Sequence, residues 1–274
     1  MTKLVKDIQE KYEINPHVDD WEKLKQFTDA RIALGRAGCS IPTQPLLDFQ
    51  LSHAQARDAV FQELDTDKLS ALFTDINLES IVIQSQATDK ETFLKRPDLG
   101  RLLNQDSIDQ LTAYQSQNSK KYDVAIVIGD GLSARAIEEN AYSMVKALKE
   151  EFDQEKWNLA PIIIATGSRV ALGDHVVELL KIPMVVMMIG ERPGLSSPDS
   201  LGIYYTWNAK TGILDSSRNC ISNIRPAGLS IQIATQRLLG LMKNSKKLQI
   251  SGVKLKDDHQ IEKVKSDKTT KLLF

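Results

Sequence analysis

The chain contains six consecutive apolar residues, Met184–Ile189, with no polar residue among them. A strand with one face in water alternates apolar and polar residues, whereas a strand buried on both faces does not. The run ends in a loop over residues 190–200 that is rich in glycine, proline and serine, which cannot continue a strand. The pattern therefore predicts an inner strand of a sheet that helices cover on both sides.

Two earlier segments repeat this order of strand, loop and helix. Residues 123–128 and 159–165 are largely apolar, and each leads through a glycine-bearing loop into a segment of helical character. Strands that alternate with helices favour a parallel sheet with right-handed crossovers. We therefore predict an α/β fold, in which a parallel, Rossmann-like, three-layer sheet domain follows a small helical N-terminal region.

Composition along the chain divides it into four segments. The first is a lead-in of mixed charge, for which we predict a frayed helix, and the last is a lysine-rich polar tail, for which we predict disorder. Between them lie a helical N-terminal domain and the α/β domain. The four segments are residues 1–28, 29–118, 119–256 and 257–274.

Four shorter elements are also predicted. Thr28 or Asp29 can begin a short helix that Gly38 ends, and a second helix covers Leu46–Val60. Residues 79–85 form a possible short strand, and residues 219–226 form an irregular loop. A further long helix begins at Ser230, whose hydroxyl suits the capping position.

The charge balance excludes two classes of partner. There are 35 Lys and Arg and 36 Asp and Glu residues, so the formal net charge is −1. Such a chain has no field to hold nucleic acid or an anionic membrane surface, and near-zero charge favours association. Cys39 and Cys220 do not resemble a disulfide framework, no apolar run approaches the roughly 18–20 residues of a membrane span, and the N-terminus has no secretory apolar stretch. We predict a cytoplasmic protein.

The predicted site lies where the strands end. Three glycine-bearing loops, residues 129–133, 166–174 and 190–200, follow successive strands, and the segment 219–226 can join them. Ligands of open α/β sheets bind outside these strand ends. The Val170 amide as a donor, Glu191 as an acceptor and Cys220 as a soft contact suit one flat or elongated ligand. These residues include neither a nucleophile nor an acid–base pair, so we predict no catalytic residue.

Known nucleotide motifs are incomplete in this chain. Gly129 and Gly131 resemble the start of a dinucleotide fingerprint, but Ala134 replaces the third glycine and Asp130 would repel a pyrophosphate. Asp130 either caps the following helix or contacts a ligand. The P-loop and nucleophile-elbow motifs are absent, and His53 has no second ligand at metal spacing.

Several segments together resemble the small subunit of ethanolamine ammonia-lyase. The resemblance runs from about Ala30 to Lys256, and its motifs are specific in their order and spacing. It is carried by residues 30–38, 47–54, 129–134, 169–174, 189–202 and 218–226.

The resemblance implies a carbon–nitrogen lyase that depends on adenosylcobalamin and converts ethanolamine to acetaldehyde and ammonia by radical chemistry. It implies a hetero-oligomer with a large (heavy) subunit, six copies of each chain, in which the large subunit binds ethanolamine and the small subunit covers the cobalamin. Carried over by position, the cofactor contacts are the Val170 amide, Glu191 and Cys220. This chain then supplies no metal ligand, because the cofactor's own base stays on cobalt. The family also implies a location inside a bacterial microcompartment in ethanolamine degradation.

Two other functions remain open on the residues alone. One is a self-contained nucleotide-binding enzyme on a Rossmann-like sheet, against which Asp130 and the missing third glycine count. The other is a structural assembly subunit without a ligand.

Overall fold

A computed structural model describes residues 20–36 and 38–257. The predicted disordered tail, apart from Asp257, and most of the predicted lead-in lie outside the described residues. The chain divides into two compact units. The described residues up to Arg57, with Gly194–Ser196, form the first unit, and Asp58–Pro193, with the chain from Ser197, forms the second.

A six-stranded sheet lies at the centre of the second unit, in the order β1-β3-β2-β4-β5-β6. The first four strands are parallel, whereas β5 is antiparallel to β4 and to β6. The predicted α/β class is therefore confirmed, but the predicted parallel, Rossmann-like sheet is not, because this sheet is mixed. Only ten residues connect β4 to β5, and a parallel crossover needs about a dozen or more. The strands are β1 Ser80–Gln84, β2 Val124–Gly129, β3 Ile162–Thr166, β4 Met184–Gly190, β5 Leu201–Trp207 and β6 Asn219–Ile224.

Helices cover both faces of this sheet. All residues of β2 and β4 are buried, as the unbroken apolar runs predicted. Side chains of α2, α5 and α7 share one apolar core with the sheet, and those of α4 and α6 share the other. The α-helices are α1 Thr43–Phe61, α2 Thr66–Thr74, α3 Lys90–Lys95, α4 Gln105–Gln117, α5 Ala134–Glu155, α6 Leu172–Leu180 and α7 Ile231–Leu248; 3₁₀-helices cover Asp20–Phe27, Leu99–Arg101, Asp215–Ser217 and Gly252–Lys254.

Serine hydroxyls begin two of the long helices. Ser133 accepts a hydrogen bond from the Ala136 amide at 3.1 Å, and Ser230 accepts one from Ile233 at 3.3 Å. These bonds satisfy amides that have no partner inside the helix. The predicted cap at Ser230 is confirmed, as are the predicted helix within Thr43–Phe61 and the strand within residues 79–85.

Two predicted elements are wrong. No helix occupies residues 28–36, where Ala33 and Gly35 have positive φ angles of 51° and 71° that break a right-handed helix. The predicted irregular loop at 219–226 is instead largely the edge strand β6. Its buried residues, Ile221 and Ile224, are three apart rather than two, because the pairing with β5 shifts register. That irregularity hides the strand's alternation in the sequence.

None of the described helices is both long enough and apolar enough to cross a membrane.

Candidate functional site

Asp130 joins the loops that follow β2 and β3. Its buried carboxylate accepts hydrogen bonds from the amides of Gly131 (2.9 Å), Gly167 (3.1 Å) and Ser168 (2.9 Å). Lys90 lies 3.8 Å from the same carboxylate. Ser133, not Asp130, caps α5, so the carboxylate serves to hold two strand-end loops together.

Gly190, the last residue of β4, brings the third loop against the first. Its carbonyl accepts a hydrogen bond from the Leu132 amide at 3.0 Å. A β-carbon at position 190 would lie 2.7 Å from the Asp130 carbonyl oxygen and would overlap that of Ser133. The three loops predicted at the strand ends therefore meet at one edge of the sheet.

An open pocket of about 680 Å³ lies near this edge, before the first turn of α6. Val170 and Cys220, two of the three predicted contact residues, both line it. Val170 and Tyr204 also pack against the core that contains α4 and α6, so the pocket lies on that face of the sheet.

Val170 lines the pocket from the loop that precedes α6. Its carbonyl accepts from Gly173 at 3.2 Å as the first turn of α6 forms. Its amide donates to no acceptor within the described part of the chain. A half-buried amide without a partner is a ready donor for a ligand oxygen.

Glu191 lies beside the pocket rather than in its lining. Oε2 accepts from the Ser200 hydroxyl at 2.5 Å and from the Asn223 amide at 3.2 Å. Oε1 accepts from no donor among residues 20–36 and 38–257. A β-carbon at position 202 would lie 2.8 Å from Oε1, so Gly202 leaves the space that the carboxylate occupies.

Cys220 is exposed on β6, directly opposite Tyr204 on β5. Desolvation against the pocket wall raises the pKa of the thiol; the Tyr204 hydroxyl opposes this shift and the Glu191 charge adds to it. Burial likewise raises the pKa of Tyr204 to about 12, with further contributions from Cys220 and Glu191. Cys220 is therefore a neutral thiol near pH 7. The hydrogen bond from the Asn223 amide and the close approach of Gly202 place the Glu191 carboxylate beside β6 and β5, the two strands that carry this pair.

Val170, Glu191 and Cys220 thus lie near one another, although they come from three separate segments. Two line the pocket and the third adjoins it. Their role as ligand contacts remains a prediction. Within the described part of the chain, no cluster of His, Cys, Asp and Glu is arranged to hold a metal ion.

A buried ion pair supports this arrangement, and sequence reasoning missed it. Two guanidinium nitrogens of Arg218 each lie 2.6 Å from an Asp174 oxygen, and Nε lies 3.1 Å from Asp215. Burial opposes the charge of Arg218, but the two carboxylates outweigh it and raise its pKa. The pair connects the first turn of α6 to the start of β6, and so holds Val170 near Cys220. The sequence contained one signal for this pair: Asp174 is an acidic residue among the apolar residues of α6.

Three further arginines of the pocket were also missed. Arg101, Arg169 and Arg192 line it, and they come from the segment before α4, the loop after β3 and the loop after β4. No sequence motif connects positions so far apart, so only the folded chain reveals the cluster.

The fold and the site define an α/β protein with a basic, ligand-sized pocket beyond the strand ends of its sheet. A family model described as "Ethanolamine ammonia-lyase light chain (EutC)" matches residues 18–256. The chain belongs to this family of ethanolamine ammonia-lyase small subunits, which confirms the resemblance.

Curated relatives agree with this assignment over nearly the whole chain. An ethanolamine ammonia-lyase small subunit of Pseudomonas fluorescens strain Pf0-1 is 46% identical over 261 residues, which are 95% of this chain and 95% of that protein. The protein of the same name from Pseudomonas syringae pv. tomato is 48% identical over 247 residues, 90% of this chain and 86% of its own length. That from Pseudomonas aeruginosa strain UCBPP-PA14 is 45% identical, with 90% of each chain covered.

Proposed function

We propose that this chain is the cofactor-covering subunit of an adenosylcobalamin-dependent ethanolamine ammonia-lyase. With a large subunit it converts ethanolamine to acetaldehyde and ammonia. One observation carries the proposal: Val170 and Cys220 line a single pocket, and Glu191 adjoins it. Family membership supports the lyase reaction, and the geometry supports a shared ligand for these three residues.

The donors and acceptors of the pocket fit the edge of a corrin ring. The amide side chains of a corrin both donate and accept hydrogen bonds. The Val170 amide and Glu191 Oε1 have no partner within the described chain and would pair with such groups. The volume of about 680 Å³ is typical of a ligand pocket but holds only part of so large a cofactor, so a second subunit would enclose the rest.

When bound, adenosylcobalamin supplies the radical chemistry of the reaction. The residues of this chain bind and orient the ring edge and exclude water from one side of it. Cys220 remains a neutral thiol that packs against the ligand without reacting with it. No residue of this chain moves a proton in this proposal, and ethanolamine is bound mainly by the large subunit.

The first unit supports the presence of a partner chain. Eight large apolar side chains of the described residues 21–51 are exposed, among them Phe27 (75%), Leu51 (59%) and Leu47 (51%). Concentrated apolar exposure marks protein interfaces. The relatives are each named a small subunit, and we propose the large subunit as the partner, with six copies of each chain, in the cytoplasm inside a bacterial microcompartment.

A specific observation disfavours the nucleotide-binding alternative. The β-carbon of any other residue at position 131 would meet Ile189 and the backbone of Gly190. Gly131, with its positive φ of 54°, therefore allows two loops to pack and does not open a path for a pyrophosphate. Ala134 and Ala136, in the first turn of α5, are fully buried, which leaves no room for a phosphate.

Reconstitution tests the proposed function. We expect no acetaldehyde from this chain alone or from the large subunit alone, and steady release when both are mixed with adenosylcobalamin and ethanolamine. Omission of the cofactor should abolish release. Full turnover by the isolated chain would refute the proposal, as would an inactive mixture in which both chains are folded and associated.

Glu191→Ala tests the assigned contact in the same complex. Loss of a hydrogen bond to a charged acceptor costs about 1.5–3 kcal/mol, so an absorbance titration should show cobalamin binding weakened roughly tenfold or more. Gly202→Ala should act in the same direction, because its β-carbon displaces the carboxylate. Glu139→Ala removes an exposed carboxylate on α5 and is the matched control. Equal affinity of Glu191→Ala and the control would instead favour a structural subunit without a ligand.

A further inference from the structure

The pocket carries an excess of positive charge. Arg101, Arg169, Arg192 and Arg218 line it, and of these only Arg218 forms an ion pair within the described chain. Both carboxylates of the lining already have an arginine partner: Asp215 pairs with Arg218, and Asp98 accepts two hydrogen bonds from Arg96 at 3.0 and 2.6 Å. Three arginines therefore line one pocket, and none of them has a carboxylate within ion-pair distance in the described part of the chain.

Arg169 is held in a fixed orientation in this cluster. Its guanidinium carbon lies 4.3 Å from the centre of the Phe93 ring, and its backbone amide donates to Gly100 at 2.8 Å. Its Nε is buried and has no acceptor among the described residues. A stacked guanidinium keeps its planar edge free for two parallel hydrogen bonds to an oxyanion.

Arg169 and Arg192 lie close enough to repel each other in the absence of an anion. Desolvation lowers the pKa of Arg169, the charge of Arg192 lowers it further, and Asp130 only partly opposes the shift. Like charges held together in a partly desolvated site are unfavourable until an anion neutralises them. A bound anion would therefore relieve this repulsion, and an anion with at least two oxygens could also pair with the planar edge of the Arg169 guanidinium.

We propose that Arg101, Arg169 and Arg192 form an oxyanion subsite, and that it takes the phosphodiester of the cofactor's nucleotide arm. The proposal rests on the proposed function and adds a second recognition element to it. The side chains of the corrin ring are neutral amides. The phosphodiester of the nucleotide arm is therefore the group at the edge of the cofactor that carries a negative charge. Its two non-bridging oxygens match the guanidinium fork. The neutral edge of the ring would then lie at Val170 and Glu191, and the anionic arm at the arginines.

Two corrinoids that differ in this arm provide the test. Cobinamide lacks the phosphate, ribose and base of hydroxocobalamin, so it can occupy the ring site without reaching the subsite. Each would be titrated by absorbance against the complex of this chain with its large subunit. Arg169→Gln and Arg192→Gln should each weaken hydroxocobalamin roughly tenfold or more and leave cobinamide within about twofold, because a charged hydrogen bond is lost in one case only.

The control is Arg135→Gln, which removes an arginine of α5 that is paired with the exposed Glu139, and neither residue of this pair lines the pocket. It should change neither affinity by more than about twofold, since exposed ion pairs contribute little. Thermal unfolding of every variant checks that the fold is intact. Arg169→Lys separates charge from shape: it should recover only part of the affinity, because an ammonium group cannot form the bidentate pair.

Each outcome distinguishes the two proposals. Wild-type complex that binds neither corrinoid overturns the proposed function and this subsite with it. Hydroxocobalamin that binds equally well to wild type and to the arginine variants overturns the subsite alone, as does equal weakening of both corrinoids. Inorganic phosphate that binds the arginines while hydroxocobalamin and cobinamide bind with the same affinity would assign the subsite to a free anion and contradict the nucleotide arm.

Discussion

Arg218→Met should lower the free energy of unfolding by about 3–5 kcal/mol, which is the usual cost of leaving one member of a buried ion pair alone. The Asp174 side chain is 1% exposed and takes two hydrogen bonds of 2.6 Å from Arg218. Methionine fills most of the arginine's volume but donates no hydrogen bond. The remaining carboxylate must either stay charged without a partner or take up a proton. Urea unfolding, followed by circular dichroism, measures the change.

Two controls separate charge from packing in this experiment. The double variant Asp174→Leu/Arg218→Met removes both charges, and we expect it to recover most of the stability, because apolar residues often replace buried pairs without loss. Arg135→Ala breaks an exposed pair with Glu139 and should change stability by less than about 1 kcal/mol. A double variant no more stable than the single one would show that the pair acts through shape alone.

Gly190→Ala should destabilise the chain by about 1–3 kcal/mol, the range for an added methyl group in a closely packed place. The new β-carbon would overlap the Ser133 carbonyl oxygen and lie 2.7 Å from that of Asp130. Both neighbours are backbone atoms, so the loops after β2 and β4 must separate. Because Glu191 directly follows position 190, cobalamin binding to the assembled complex should also weaken.

Gly240→Ala is the matched control for this substitution. Gly240 lies inside α7, and a β-carbon there would meet no atom within 4 Å. Alanine is a better helix former than glycine by roughly 0.5–1 kcal/mol, so this variant should be slightly more stable than wild type. The two alanines should therefore shift the thermal midpoint in opposite directions. A Gly190→Ala protein as stable as wild type would show that the loops have more freedom than the geometry indicates.

Much of the second unit could be predicted from local patterns. The runs at Val124–Gly129 and Met184–Gly190 lack polar residues, and both strands are buried on both faces. A strand buried on both faces does not need to alternate apolar and polar residues, so an unbroken apolar run in the sequence is enough to predict it. Glycine-rich loops after these strands indicated where a site would lie, and motif order indicated the family that the comparisons confirmed.

Other features depend on residues far apart in sequence. The strand β6 was not predicted, because a register shift in its pairing with β5 spaces its buried residues irregularly. Asp174 and Arg218 are 44 positions apart, and nothing local shows that they neutralise each other. The same holds for Arg101, Arg169 and Arg192, whose neighbouring positions exist only once three loops have packed together.

The sequence by itself determined which segments become inner strands and long helices, because strand burial and helix capping both depend on residues that are close together in the chain. It also determined the family, through motifs kept in order. The tertiary structure alone decided which charges are paired and which face an open pocket. Coulomb energies depend on distance and desolvation, and both are set by chain packing and not by position along the chain.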